Sequence, residues 1–344
     1  MSNQPRILLM GCGAVGGVLA SGLLRAGRDL TIIAHNQAIT QAIAENGLRV
    51  ITPDGEHTIP ASVHLDPTTV AGPFDIALLT MKATGVVQAV RDALPLLAAN
   101  GVIVPLQNGG VEDRVSEIAG RERVIGGIVV WGATMHEPGV YEMTSHGETV
   151  IGELDGRVTP RVRELKAVLD AAAPSEISDN IYGVLWSKLA INCIITTLGA
   201  VTGQLLGEML RQRTVRRLAL SIISEVVDVA EARGVALEKA GGTLDLHQLY
   251  LPPERRAGGF GLDLIKKHAI MLAVAMRYRQ LKSSMLQSLE RGREPEIDFM
   301  NGYVVEQGHL VGVDTPVNAA LTQMVKEIEA GARPITPDNL KQLV

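Results

Sequence analysis

The sequence predicts an α/β protein in two parts: an N-terminal doubly wound parallel sheet over residues 1–178 and a C-terminal all-helical domain over 179–344. Three observations predict it. Short apolar runs of strand length alternate with helical stretches through the first half, the pattern of a parallel sheet with helices on both faces. A glycine-rich turn joins the first strand to the first helix. Beyond about residue 174 the strand signal nearly vanishes while helical periodicity continues. A chain of 344 residues holds two domains at roughly 150 residues each.

Taken in order, residues 6–10 form a short apolar strand, 11–16 are glycine-rich, and 18–26 turn helical before stopping at Gly27. This apolar start reads as a first strand, not a signal peptide, because glycines interrupt it at fixed spacing. A β-branched run at 30–34 is the second strand, 37–46 the second helix, and Gly47 its stop. Segments 48–51 and 57–63 alternate around Pro53-Asp54-Gly55 and read as a hairpin or a crossover excursion. Residues 75–80 read as a buried strand, 86–99 as a helix and 102–105 as another strand. In the second half, helices are expected at 180–198, 208–232, 265–289, 297–307 and 318–330. A stretch rich in Gly, Pro and Arg near 241–263, including Gly258-Gly259, reads as an inserted loop: a lid, an oligomer contact or a plain connection.

Composition excludes several classes of function. Net charge is only -5 and the 32 Lys and Arg are dispersed, which argues against a nucleic-acid partner. The most apolar stretch, 181–198, carries Lys188 and Asn192 and barely reaches spanning length, so no membrane association is expected. Cys12 and Cys193 offer neither a disulfide framework nor zinc spacing; no metal is expected, and a reducing cytoplasmic location is.

Gly11-Cys12-Gly13-Ala14-Val15-Gly16 follows the first strand and opens the first helix. Its first glycine allows the tight turn, the second lets a pyrophosphate approach the backbone, and the third allows close helix packing, while the helix N-terminus favours phosphate charge. This is the Rossmann-type dinucleotide signature. An acid at the end of the second strand would bond a ribose 2'-hydroxyl, and a base would accommodate a 2'-phosphate. Ala34-His35-Asn36 supplies neither an acid nor an arginine, so the choice between NADPH and NADH stays open with a lean to NADPH.

Lys188, Asn192 and Thr196 recur at four-residue spacing and form one polar stripe on an otherwise apolar helix. Burial of such a lysine disfavours its charged form and brings it toward a range useful for proton transfer, although a structural ion pair would leave the same pattern. A second polar cluster runs from Ser283-Ser284 to Glu294-Pro295-Glu296. Pro295 suits a first helical position, which would place Glu296 in the first turn, where the dipole favours it whether or not it has a chemical role.

These segments, in this order, resemble the ketopantoate reductases. The resemblance spans nearly the whole chain: the glycine motif, Met81-Lys82-Ala83, Gln107-Asn108-Gly109-Gly110-Val111-Glu112, Gly132-Ala133 with Pro138-Gly139, Trp186 through Cys193, Ser283 through Gln287, and Glu296-Ile297-Asp298. It implies a Rossmann domain holding NADPH, a helical domain, and reduction of a 2-oxo acid, 2-dehydropantoate to (R)-pantoate, on the way to pantothenate and coenzyme A. It further implies Lys188 as proton donor and Glu296 beside cofactor and substrate. Asn108, Asn192, Thr196 and Ser284 fall at substrate positions. Gly11 through Gly16, His35, Lys82, Asn108 and Ala133 fall at cofactor positions.

The chain departs from the family pattern where Thr196 and Leu206 replace asparagines, which suggests a less polar 2-oxo acid as an alternative substrate. His35 stands where an arginine is frequent. A non-catalytic dinucleotide sensor would need only the phosphate site, and joint retention of Lys188, Asn192, Ser284 and Glu296 speaks for an enzyme. An opine-type dehydrogenase would use a histidine in the helical half. His247 and His268 lie in or beside the insertion, away from the polar stripe. A homo-oligomer is compatible with all of these readings.

Overall fold

The computed structural model describes residues 4–53, 55–256 and 261–343. Asp54 of the expected turn and Gly258-Gly259 of the expected loop lie outside the described residues. Contacts divide the chain into two units, Met1–Ile181 and Tyr182–Val344.

The first unit runs β1 (Ile7–Met10), α1 (Ala14–Arg25), β2 (Leu30–Ile33), α2 (Gln37–Asn46), β3 (Leu48–Thr52), β4 (Gly55–Ile59), β5 (Ser62–His64), β6 (Phe74–Leu79), α3 (Val86–Ala93) and β7 (Leu97–Pro105). There follow α4 (Glu112–Ala119), β8 (Ile125–Val129), β9 (Gly132–Glu137), β10 (Val140–Ser145), β11 (Thr149–Glu153), α5 (Pro160–Leu169) and β12 (Ser175–Ile177). The central sheet has the order β5-β2-β1-β6-β7, and every neighbouring pair in it is parallel. All four residues of β1 are buried, as expected of a strand covered on both faces. The order reverses between β1 and β6, so the carboxyl ends of these two strands flank a topological switch point, where ligands bind in open α/β sheets.

The excursion after α2 is a hairpin, with β3 and β4 antiparallel from Leu48↔Ile59 to Thr52↔Gly55. It joins β10 and β9 in a second, four-stranded sheet of order β4-β3-β10-β9. A third sheet, β12-β11-β8, adjoins β7 through a parallel bridge between Ile103 and Val124. The expected helix over 86–99 ends at Ala93, because Pro95 sits in a short 3-10 turn, and the following strand starts early, at Leu97.

The helical part comprises α6 (Ile181–Thr202), α7 (Leu206–Met209), α8 (Arg213–Ala232), α9 (Pro253–Arg256), α10 (Leu262–Arg277), α11 (Ser284–Glu290), α12 (Asn301–Val311) and α13 (Pro316–Glu329). Its core gathers Trp186, Leu189, Cys193, Ile222, Met285 and Leu321. Among the described residues only α6 is long and apolar enough to cross a membrane, and most of it is buried inside the protein.

Three expected helices do not run as expected. The helix expected over 208–232 breaks after α7, where the Arg216 guanidinium donates to the Leu210 and Arg211 carbonyls at 2.7 Å each and so caps the free helix end. The one expected over 265–289 stops at Arg277. The Arg279 and Leu281 carbonyls accept from Gly207 and Leu206, and the Ser283 hydroxyl accepts from the Leu286 amide to start α11. Pro295 does not open a helix: Glu296 precedes a 3-10 turn, Ile297–Phe299, and α12 begins only at Asn301.

Candidate active site

In the first unit, the glycine motif lies at the carboxyl end of β1. Gly11 has φ +93°, which disfavours any side chain, and a Cβ on it would lie 2.5 Å from the Met81 nitrogen. A Cβ on Gly16 would lie 2.1 Å from the Gly11 carbonyl oxygen. Thr80 fixes the loop from β6 by donating its hydroxyl to the Met10 and Gly11 carbonyls at 3.1 and 2.5 Å. Gly13 is different, since a Cβ there meets nothing within 4 Å. Packing therefore does not require glycine at 13, whereas close approach of a ligand would. Gly13 caps α1 without a side-chain bond, and the helix has no acid in its first turn, so its amide end presents positive potential. These residues fit a dinucleotide pyrophosphate.

The carboxyl ends of the neighbouring strands carry the other expected contacts. His35 follows β2, Lys82 follows β6, and Asn108 follows β7 next to Gly109, which has φ +100°. Lys82 and His35 are exposed and Asn108 is half-buried. The His35 Nε2 lies 3.9 Å from Asp92, and His35 helps hold the neighbouring Asp66 carboxyl low, after the larger effect of bonds from Thr68. Ala133 lies on β9, paired with Met143 of β10.

Tyr141, not singled out from sequence, and three residues of the quoted motifs complete this edge. The Tyr141 ring of β10 sits where a Cβ on Gly17 would be, 2.2 Å from its nearest atom, and its hydroxyl donates to the Cys12 carbonyl at 2.8 Å. The Cys12 thiol is buried and pushed up to about 11, so it is held as an inert neutral group. Gln107 is buried with its amide on the Met81 sulfur at 3.1 Å and its Oε1 without a partner. Glu112, also buried, accepts backbone N–H bonds from Val111, Glu112 and Gly127; burial nevertheless pushes its carboxyl up to about 8. No sequence pattern distinguishes Glu112 from an ordinary helix-start acid.

In the second unit, α6 carries Lys188, Asn192 and Thr196. Lys188 is half-buried, and desolvation lowers its ammonium to about 8. Among the described residues the buried Asn192 Nδ2 has no hydrogen-bond partner, a situation that costs ~1–3 kcal/mol and asks for an external acceptor. The Thr196 hydroxyl donates back to the Asn192 carbonyl at 2.7 Å, so this donor is occupied. Ser283 is the serine that touches α6: its hydroxyl donates to the Thr196 carbonyl at 2.5 Å, and a Cβ on Gly199 would lie 2.5 Å from its Cβ. Ser284, next along, is exposed at the first position of α11. Leu206 is buried in the apolar core.

Glu296 is buried, and its segment is tied to α6 through Asn301. Asn301 donates to the Cys193 carbonyl at 3.3 Å and to the Asn318 Oδ1 at 2.8 Å, and accepts from the Thr197 hydroxyl at 2.5 Å. Glu225 of α8 ends the chain of bonds, accepting from the Val317 and Asn318 amides at 2.9 Å each and from the Asn318 side chain at 2.7 Å. The two histidines in or beside the expected insertion serve elsewhere. His247 is exposed, 3.6 Å from Glu231, and His268 accepts at Nδ1 from the Arg216 Nε at 3.2 Å.

Residues 7–156 match the family model described as "Ketopantoate reductase PanE/ApbA", and residues 180–329 match "Ketopantoate reductase PanE/ApbA C terminal". The chain is similar to the 2-dehydropantoate 2-reductase of Pyrococcus horikoshii, 27% identical over 327 residues, covering 94% of this chain and 98% of that protein. The enzyme of the same name from Mesorhizobium japonicum is 30% identical over 346 residues, covering 94% and 97%. Among solved structures, a PanE/ApbA family ketopantoate reductase from Ralstonia eutropha JMP134 has a TM-score of 0.79 at 30% identity, covering 95% of this chain and 99% of that one. With both halves matched in order and over nearly their full length, the chain belongs to the ketopantoate reductase family.

Proposed function

We propose that this protein reduces 2-dehydropantoate to (R)-pantoate with a reduced nicotinamide dinucleotide, the step that serves pantothenate and coenzyme A synthesis. The observation that carries the reading is on α6: a lysine whose ammonium is lowered by burial to about 8, one turn from a buried amide donor that no group among the described residues satisfies. Relatives named 2-dehydropantoate 2-reductase favour this substrate over a less polar 2-oxo acid.

Gly11 through Gly16 would hold the pyrophosphate against the α1 amides, with His35, Lys82, Asn108 and Ala133 as further contacts. When bound, the dinucleotide supplies the hydride that ends on the 2-carbon. Lys188 meets the negative charge growing on the 2-oxygen and gives it the Nζ proton. Asn192 donates from Nδ2 to the substrate, and Asn108, Thr196 and Ser284 line its polar side, so that the reacting carbon is oriented before reaction. Glu296 is assigned the role of holding Lys188 in place.

NADPH is the proposed donor, with NADH as competitor, because the end of β2 offers a histidine facing Asp92 where an arginine would hold a 2'-phosphate bidentately. The test is a steady-state assay of 2-dehydropantoate against a panel of 2-oxo acids with each dinucleotide. Preferred turnover of 2-dehydropantoate is expected. Absence of dinucleotide oxidation with every member would overturn the reading.

A further inference from the structure

Helix α8 begins against the electrostatics of its own backbone. Arg211, Arg213, Arg216 and Arg217 crowd residues 211–217 around its start, where the helix dipole favours acids, and its first turn holds no acid. Arg216 is only 8% exposed. A guanidinium withdrawn from water in this way is ordinarily paired with a carboxylate. Arg216 instead donates from Nη1 to the Leu210 and Arg211 carbonyls and from Nε to His268 of α10, and among the described residues no carboxylate pairs with it.

The acids of the three helices that meet at this junction are engaged elsewhere. Glu208 of α7 accepts from the Leu205 amide, and Glu225 of α8 accepts from the Val317 and Asn318 amides. Asp228 is held by Arg256 at 2.5 Å, Glu231 lies 3.6 Å from His247, and Asp263 of α10 is held by Arg255 at 3.0 Å and Lys267 at 3.2 Å. None is left to offset the arginines.

His268 adds a second deficit. Its Nδ1 accepts from Arg216, which fixes the proton of the neutral ring on Nε2, and that N–H is buried with no acceptor among the described residues. Burial, and then the charges of Arg216, Arg213 and Arg217, hold the imidazole below its ordinary value, so the ring stays neutral. An anion supplies both the missing acceptor and the missing negative charge.

We propose that the junction of α7, α8 and α10 binds an oxyanion of the phosphate class, free or as the phosphoryl group of a larger molecule, through the His268 Nε2–H and the charge of Arg213, Arg216 and Arg217. A carboxylate would offset one of these charges, whereas a phosphate dianion offsets two and takes several charge-assisted bonds. The site is separate from the polar stripe of α6. His268 stands nine residues before Arg277, ~14 Å back along α10, while the contact to α6 comes from Ser283 beyond that end.

A phosphate titration of protein labelled with carbon-13 at the histidine Cε1 positions, at an ionic strength held constant with chloride, tests this. The His268 signal, identified as the one lost in His268→Gln, should move with half-saturation on the order of 1 mM and should titrate at higher pH once phosphate is bound. Acetate should act at least about tenfold more weakly. Arg213→Gln, at an exposed position, should weaken phosphate at least about tenfold with unchanged circular dichroism, and Arg213→Lys, which keeps the charge, should retain most of the affinity. Glycerol phosphate that competes with inorganic phosphate would mark a phosphoryl group as the occupant, and its failure to compete would mark the free ion; either outcome supports the site. A His268 signal that answers phosphate no more than chloride or acetate, or Arg213→Gln with wild-type affinity, would overturn it. So would phosphate that stabilises the protein against heat while leaving the His268 signal unmoved, since that places the anion at the glycine motif alone.

Discussion

The carboxamide of Asn301, on the first residue of α12, bonds the Cys193 carbonyl and the Thr197 hydroxyl of α6 at once. One fully buried side chain thus fixes the segment that ends in Glu296 to the helix that carries Lys188 and Asn192. Thr197→Val removes the donor to Asn301 and leaves a buried acceptor unsatisfied, which should cost ~1–3 kcal/mol in a denaturant titration. It should also lower kcat several-fold while the dinucleotide Kd stays constant. Thr197→Ser, which keeps the hydroxyl, should restore kcat; equal loss of dinucleotide affinity would point to general unfolding instead.

Lys188→Ala should reduce turnover by at least ~10²-fold with dinucleotide binding intact. Near-normal turnover would remove Lys188 as the acid.

The pH profile follows from the same residue. Its folded-state ammonium lies near 8, below the ordinary lysine value of 10.5, and an acid acts only while protonated. kcat/KM should therefore be flat below about 8 and fall about tenfold per unit above it. Lys188→Arg, which cannot deprotonate in this range, should lose that limb along with most of the rate.

The glycines should separate by function. Gly13→Ala places a methyl where no protein atom lies within 4 Å, so stability should hold while dinucleotide affinity drops at least several-fold. Gly11→Ala must clear the Met81 backbone and adopt an unfavourable φ, and should lower stability as well. Titration calorimetry beside thermal melts reads both quantities.

Glu112 gives a stability prediction with a defined sign. Its folded carboxyl titrates near 8 against an ordinary 4.5, so between these values the folded state holds a proton that the unfolded state has lost. Stability conferred at this site is present at low pH and declines as pH rises through that window, by up to about 1.4 kcal/mol per pH unit. Glu112→Gln should flatten this dependence; an unchanged slope would assign it to other groups.

The central sheet and the polar stripe on α6 were legible because each rests on a periodicity: strand-length apolar runs, fixed glycine spacing, and polar residues every fourth position. Beyond the β3–β4 hairpin, the second and third sheets were not. Their strands between Ile125 and Ile177 are short, and one of them, Gly132–Glu137, is half-buried along its first four residues and exposed at its end, so neither alternation nor an apolar run announces it. Breaks at Arg277 and Leu210 depend on side chains reaching across tertiary contacts, Ser283 to Thr196 and Arg216 to the Leu210 carbonyl, which no local window contains. Ser283 illustrates the limit at the site: sequence directed attention to Ser284, and only packing against Gly199 shows which of the adjacent serines faces α6.

The ring of Tyr141 over Gly17 has an evolutionary corollary. A larger residue at 17 can be accepted only if position 141 becomes smaller, and that change would also abolish the phenol bond to Cys12. Two sites far apart in the gene are therefore expected to drift together, and a chimera that exchanges β10 between relatives should carry residue 17 with it.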